Sequence, residues 1–149
     1  MSSRITYPWG QRAPRAELSQ TSERLRLALA AAGEPGYAGI DRRLETAVQA
    51  AQPLTVVLRY VAGAGLQSRT GKGSGDQRIQ GADIDPALRE LDAAVVRLAE
   101  ASVASVSEDY GAFVEAANAV LELAEQAVKG GVRKRPADDA QAAWRRFGA

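Results

Sequence analysis

Leu54-Thr55-Val56-Val57-Leu58-Arg59-Tyr60-Val61 is the stretch on which the fold class turns. Thr55, Val56, Val57 and Val61 are β-branched and Tyr60 is aromatic, a composition that suits a strand. A strand needs a partner, and no comparable pattern recurs elsewhere in the chain. The octet is therefore read as helix, and the chain with it as all-α: a helical bundle of four to five helices.

Upstream of the octet, a helical region opens near Asp41 and carries Leu44, Ala47, Val48 and Ala51 on one face. Pro53 lacks the N–H that a helix interior needs, so a kink or a break into two helices is expected there. Before that, Leu18, Thr21, Leu25, Leu29 and Ala32 recur at helical spacing from Pro14, which suits a first helical position. Gly33 with Glu34-Pro35-Gly36 ends that run. Residues 1–13 read as an irregular N-terminal arm punctuated by Pro8 and Gly10.

Downstream, residues 63–82 form a Gly-rich loop holding six of the 14 glycines. Asp85-Pro86 reads as an N-cap and first turn, opening a helix through Leu88, Leu91, Val95, Leu98 and Ser102 to about Ser107. The next helix starts around Ser107–Glu108, sets Tyr110, Phe113, Val114, Ala117, Leu121, Ala124 and Val128 on one stripe, and closes at Gly130-Gly131. Thus 14–131 is the bundle domain. Residues 132–149 are a basic linker, Val132 to Arg135, and a short C-terminal helix with Trp144 and Phe147.

Composition removes whole classes of chemistry. The 149 residues include no Cys and no His, which excludes disulfides, thiol nucleophiles, Cys/His zinc sites and every Ser-His or Cys-His constellation. An enzyme would have to work with carboxylates, arginines or lysines, and the expectation is that the chain is not an enzyme and uses no cofactor. Hydrophobic residues make up 46% but aromatics only 5%, so Ala, Leu and Val build thin helix contacts whose last increment of stability a partner could supply. Met1 to Gly10 has no apolar run of signal-peptide type, and no apolar stretch approaches the roughly 20 residues of a membrane helix. A cytoplasmic protein is expected.

Two local patterns invite chemical readings. Gly71-Lys72 matches the end of a phosphate-binding loop, but Leu66 stands where that motif needs Gly and Gly73 where it needs Ser or Thr. The loop is then a linker, or a segment whose backbone and Arg69, Lys72 and Arg78 approach nucleic-acid phosphates. Glu122 and Glu125 have an E-x-x-E spacing used by helical metal-dependent pyrophosphatases, yet they fall beside or opposite the apolar stripe, with Lys129 in pairing position. No second acidic helix motif follows, so no metal site is expected.

Charge is unevenly distributed. Residues 1–26 carry five basic and two acidic groups, 27–82 six and four, 83–125 two and ten, and 126–149 six and two. The net +1 conceals segments of +3, +2, −8 and +4. These charges either neutralise one another within the monomer or serve head-to-tail association and a basic face for nucleic acid. Four of the eight aromatics, Tyr7, Trp9, Trp144 and Phe147, lie outside the long helices. With Arg145 and Arg146 they read as docking anchors for a partner, or as end pieces that cap the bundle.

The order of features resembles the small, non-catalytic subunits of type III CRISPR effector complexes. Leu58-Arg59-Tyr60-Val61-Ala62-Gly63 is similar to the family's mid-chain helix ending in an aromatic-x-Ala-Gly turn. Ser107-Glu108-Asp109-Tyr110-Gly111-Ala112-Phe113, with Val114–Leu123 after it, is similar to its closing helix. The resemblance implies RNA-backbone contact through Arg42, Arg43, Arg59, Arg69 and Lys72, and repeated copies side by side. The leading expectation is a helical subunit of a nucleoprotein assembly whose partners are other protein subunits, copies of itself, and RNA or single-stranded nucleic acid. The alternative is a protein-only scaffold, such as a virion component or adaptor. A duplex-DNA regulator ranks lower, because no helix-turn-helix pair with a basic recognition helix stands out.

Overall fold

The octet Leu54–Val61 is helical throughout, part of a helix that continues uninterrupted through Pro53. The computed structural model describes residues 5–32, 40–68, 78–102 and 104–136. Within them are four helices, α1 (Pro14–Ala32), α2 (Ile40–Ala64), α3 (Gly81–Ala99) and α4 (Val106–Gly130), and two short strands, β1 (Ile79–Gln80) and β2 (Val132–Arg133). The all-α expectation holds. The C-terminal helix expected around Trp144 lies outside the described residues.

Each helix packs on its two neighbours in the order α1-α2-α3-α4-α1. Gly81 at the start of α3 abuts Ala62 at the end of α2, while Leu44 and Val48 near the start of α2 share a groove with Val95 and Leu98 near the end of α3. These two helices therefore run antiparallel. Arg15 meets Val128 while Arg26, further along α1, meets Glu125, so α1 and α4 are antiparallel as well. The result is an up-down-up-down four-helix bundle.

The core is lined by leucines Leu18, Leu25, Leu54, Leu58, Leu88 and Leu91, with Phe113 the largest fully buried side chain. A buried leucine contributes about 1.5–3 kcal/mol, so these few side chains dominate the stabilisation. The many buried alanines, among them Ala47, Ala117, Ala124 and Ala127, let the helices approach closely.

Three expectations need correction. Of the kink or break expected at Pro53, the break does not occur, and α2 continues through it as one helix. Both Pro53 and Gln49, whose carbonyl loses its helical partner, are exposed, so water can satisfy that carbonyl while Leu44, Ala47, Ala51, Leu54 and Leu58 keep one continuous buried face. Asp85 is not an N-cap, because α3 begins four residues earlier with Gln80 at the cap. Asp85 instead accepts two hydrogen bonds from Arg135 Nη1, at 2.7 and 2.6 Å. Nor does the third helix reach Ser107. It ends at Ala99, and Ser102 and Ser105 bond to each other's backbone N–H through their hydroxyls, a local alternative to continued helix.

The basic linker also contains a strand that the sequence pattern did not reveal. Ile79↔Val132 and Gln80↔Arg133 pair in parallel, and Val132 also exchanges two 2.8 Å hydrogen bonds with Leu66. Arg135 N–H donates to the Ala62 carbonyl at 2.8 Å. Three connecting segments are thus stitched together across one end of the bundle, with Val132 buried among them at 1% exposure.

Candidate functional site

The stitched end gathers positive charge. Residues 131–135 turn back across it because Gly131 takes φ 85°, a left-handed value that glycine adopts without strain, with its nearest neighbours the backbone of Leu66, Gln67 and Ser68. That places Arg133 and Lys134 on the surface beside half-buried Arg78. Arg12 and Arg15 arrive from the start of α1. Arg12 pairs with Glu17 at 2.8 Å, its guanidinium still about half exposed. Arg15 donates to the Val128 carbonyl at 3.0 Å and to the Gln67 carbonyl, so it caps α4 and pins the chain leaving α2. Arg135 is committed to Asp85 and lies against Gly63. Among the described residues, Arg12, Lys129, Arg133 and Lys134 are exposed cations at this end, Arg12 and Lys129 each beside a glutamate.

The opposite end is acidic. There the termini of α2, α3 and α4 carry Glu45, Glu100, Glu108 and Asp109, with Arg42 and Arg97 as exposed cations at the same end. Between α2 and α3 at this end lies an open groove of about 420 Å³, lined chiefly by Leu44, Val48, Val95, Leu98, Ala101 and Val106. The acids of 83–125 are spread along the whole of α3 and α4, with Asp83 and Asp85 at the basic end and Glu122 and Glu125 in the nearby last turns of α4. The charge division read along the chain is therefore only partly axial in the folded bundle.

A salt-bridge set sits between α1 and α4. Lys129 donates to Glu125 at 3.1 Å, and Arg26 approaches the same carboxylate at 3.8 Å. The lysine hydrogen bond and charge hold the Glu125 carboxyl below the usual carboxylate range. Glu125 is thus a solvated structural acid. Among the described residues no three Asp, Glu, His or Cys side chains come together as metal ligands.

The residues singled out from the sequence do not form one surface. Arg42 is exposed at the acidic end and Arg59 is exposed beside Asp92, which it contacts at 3.3 Å. Seventeen residues apart on α2, the two stand about 25 Å from each other along the helix. Arg78 lies at the basic end. Arg69, Lys72, Trp144, Arg145, Arg146 and Phe147 fall outside the described residues, as does the side chain of Arg43.

Tyr7 and Trp9 stack on each other with centroids 5.1 Å apart, and each meets Tyr60 edge-on, at 5.5 and 5.2 Å. The Trp9 indole N–H donates to the Arg12 carbonyl at 2.8 Å. The arm thus folds onto α2, which leaves both rings half-buried. Missed from sequence were Arg12, Arg133 and Lys134 as parts of one surface. The charge run Lys134-Arg135 was visible, but not the strand pairing that holds it across this end of the bundle.

No family model, curated protein or solved structure matches this chain. Among the described residues, no helix is long and apolar enough to cross a membrane.

Proposed function

We propose that this protein is a non-catalytic helical subunit of a nucleoprotein assembly, touching the nucleic-acid backbone with its basic end. The observation that carries this reading is that Arg12, Arg133 and Lys134 are all exposed at the end of the bundle where Leu66, β1 and β2 are stitched together. Exposed cations of this kind suit phosphate oxygens, which arginine binds in pairs and lysine as a point charge. The surface reads backbone rather than bases, because it offers no helix to enter a groove. The resemblance to the small subunits of type III CRISPR effector complexes supports the same class of role through different residues.

The test is fluorescence anisotropy of labelled single-stranded RNA, and of the matching DNA, titrated with protein at several salt concentrations. Binding that weakens steeply with salt is expected. Changing Arg133 and Lys134 together to Ala should reduce the slope of log K against log salt by about 1.4, the share of two single-strand phosphate contacts. Absence of binding at low salt would remove nucleic acid as a direct partner and leave a protein-only scaffold.

A further inference from the structure

We infer that the groove between α2 and α3 at the acidic end docks an amphipathic helix of a partner protein, with an aliphatic ridge and flanking lysines or arginines. The groove arises from how the two helices are held. At the basic end Gly81 sits directly against the Ala62 carbonyl, a contact only glycine permits. Toward the acidic end burial declines along α3, from Leu88 and Leu91 at 1% exposure to half-buried Val95 and Leu98. The helices are pinned at one end and leave aliphatic side chains uncovered at the other.

The shape and chemistry of the groove select its occupant. Its long walls are side chains of α2 and α3, closed at one end by Ala101 of the linker and Val106 of α4, so they offer few backbone groups to pair with an added strand. An extended peptide would leave its own amides unsatisfied against Leu44, Val48 and Val95, whereas a helix satisfies its backbone internally. Leu44 to Val48 spans about 6 Å of α2, close to one helical turn, which suits ridge residues spaced three and four apart. The rim sets the charge of the flanks. Glu45 lies in the wall, Glu100 sits between lining residues Ala99 and Ala101, and Glu108 follows lining residue Val106 by two positions. Arg42 on α2 and Arg97, beside lining residue Leu98, offset two of these three carboxylates, and the remaining excess is negative. A partner helix with basic flanks complements it, and one with acidic flanks is repelled.

This inference stands apart from the nucleic-acid reading, since the groove and the basic surface are at opposite ends of the bundle. It is tested with the full chain and an array of fluorescent helical peptides about 15 residues long. The peptides vary in aliphatic spacing and carry either lysine or glutamate flanks. Saturable binding is expected for lysine-flanked peptides with leucines at i, i+3 or i+4, and i+7. Reversing the exposed rim charges, Glu45→Lys with Glu100→Lys, should weaken that binding about tenfold, roughly 1.4 kcal/mol, and transfer the preference to glutamate flanks. Neither site is buried, so folding survives the change, which circular dichroism checks. Failure of every peptide to bind, or binding indifferent to the charge reversal, would overturn the inference. So would sedimentation showing the protein alone self-associating through this face in a manner that Val95→Asp abolishes.

Discussion

Arg15, in the first turn of α1, donates its Nε–H to the carbonyl of Val128 in the last turn of α4, 3.0 Å away and 113 residues on in the chain. A second guanidinium nitrogen bonds the Gln67 carbonyl. One planar side chain therefore ties together two helices and the segment that leaves α2. Arg15→Gln should cost about 1.5–3 kcal/mol, the range for hydrogen bonds to a charged group. Arg15→Lys should recover less than half of that, because an ammonium lacks the fork that spans two carbonyls. Urea denaturation of the three proteins measures both.

Gly81 is a second fixed point. A methyl group there would meet the Ala62 carbonyl and the backbone of Arg133 and Arg135, none of which can swing aside as a side-chain tip would. Gly81→Ala should lower stability by about 1–3 kcal/mol, in spite of the higher helix propensity of alanine. Gly111, which faces open space in α4, is the control, and Gly111→Ala should stabilise by about 0.5–1 kcal/mol. Thermal unfolding of the pair separates close packing from propensity.

Ser22 is 3% exposed, and its hydroxyl has no hydrogen-bond partner. Ser22→Ala removes a desolvated polar atom and adds helix propensity, so it should raise stability by about 0.5–1 kcal/mol. Thr21 beside it is the opposite case. Its hydroxyl donates to the Glu17 carbonyl at 2.7 Å, and Thr21→Val should be neutral or destabilising. A raised urea midpoint is the expected result for the first substitution and not for the second.

Tyr110 is 7% exposed and packs against Phe113 with centroids 6.5 Å apart. Burial pushes its phenol pKa upward, which favours the neutral form in the folded chain. Its stabilising contribution is complete below the unfolded value of about 10 and declines as pH rises through the higher folded value. Tyr110→Phe should therefore lose less stability than the wild type when pH is raised from about 8 to about 11. Identical losses in the two proteins would place the alkaline sensitivity elsewhere.

Much of the fold was legible because helical spacing of leucines reports a buried face directly. The stripe from Tyr110 to Val128 is buried or half-buried throughout, and Gly131 ends α4 as a glycine pair suggests. What escaped were features set by tertiary contacts. Pro53 looked like a break because its missing N–H is local, while the buried face that carries α2 through it is not. Val132–Arg133 is too short to show alternation, and its partner Ile79–Gln80 lies 53 residues earlier in the chain. The basic surface depends on that pairing, so arginines could be counted from the sequence but not placed together.

Backbone amide chemical-shift mapping during titration with single-stranded RNA tests the central claim most directly, because it reports which end of the bundle is touched. Shifts concentrated at Arg12, Arg78 to Gln80 and Gly131 to Arg135, and suppressed by added salt, are the predicted result. Shifts centred on Leu44 to Gln49 and Val95 to Ala101, or none at saturating RNA, would contradict it.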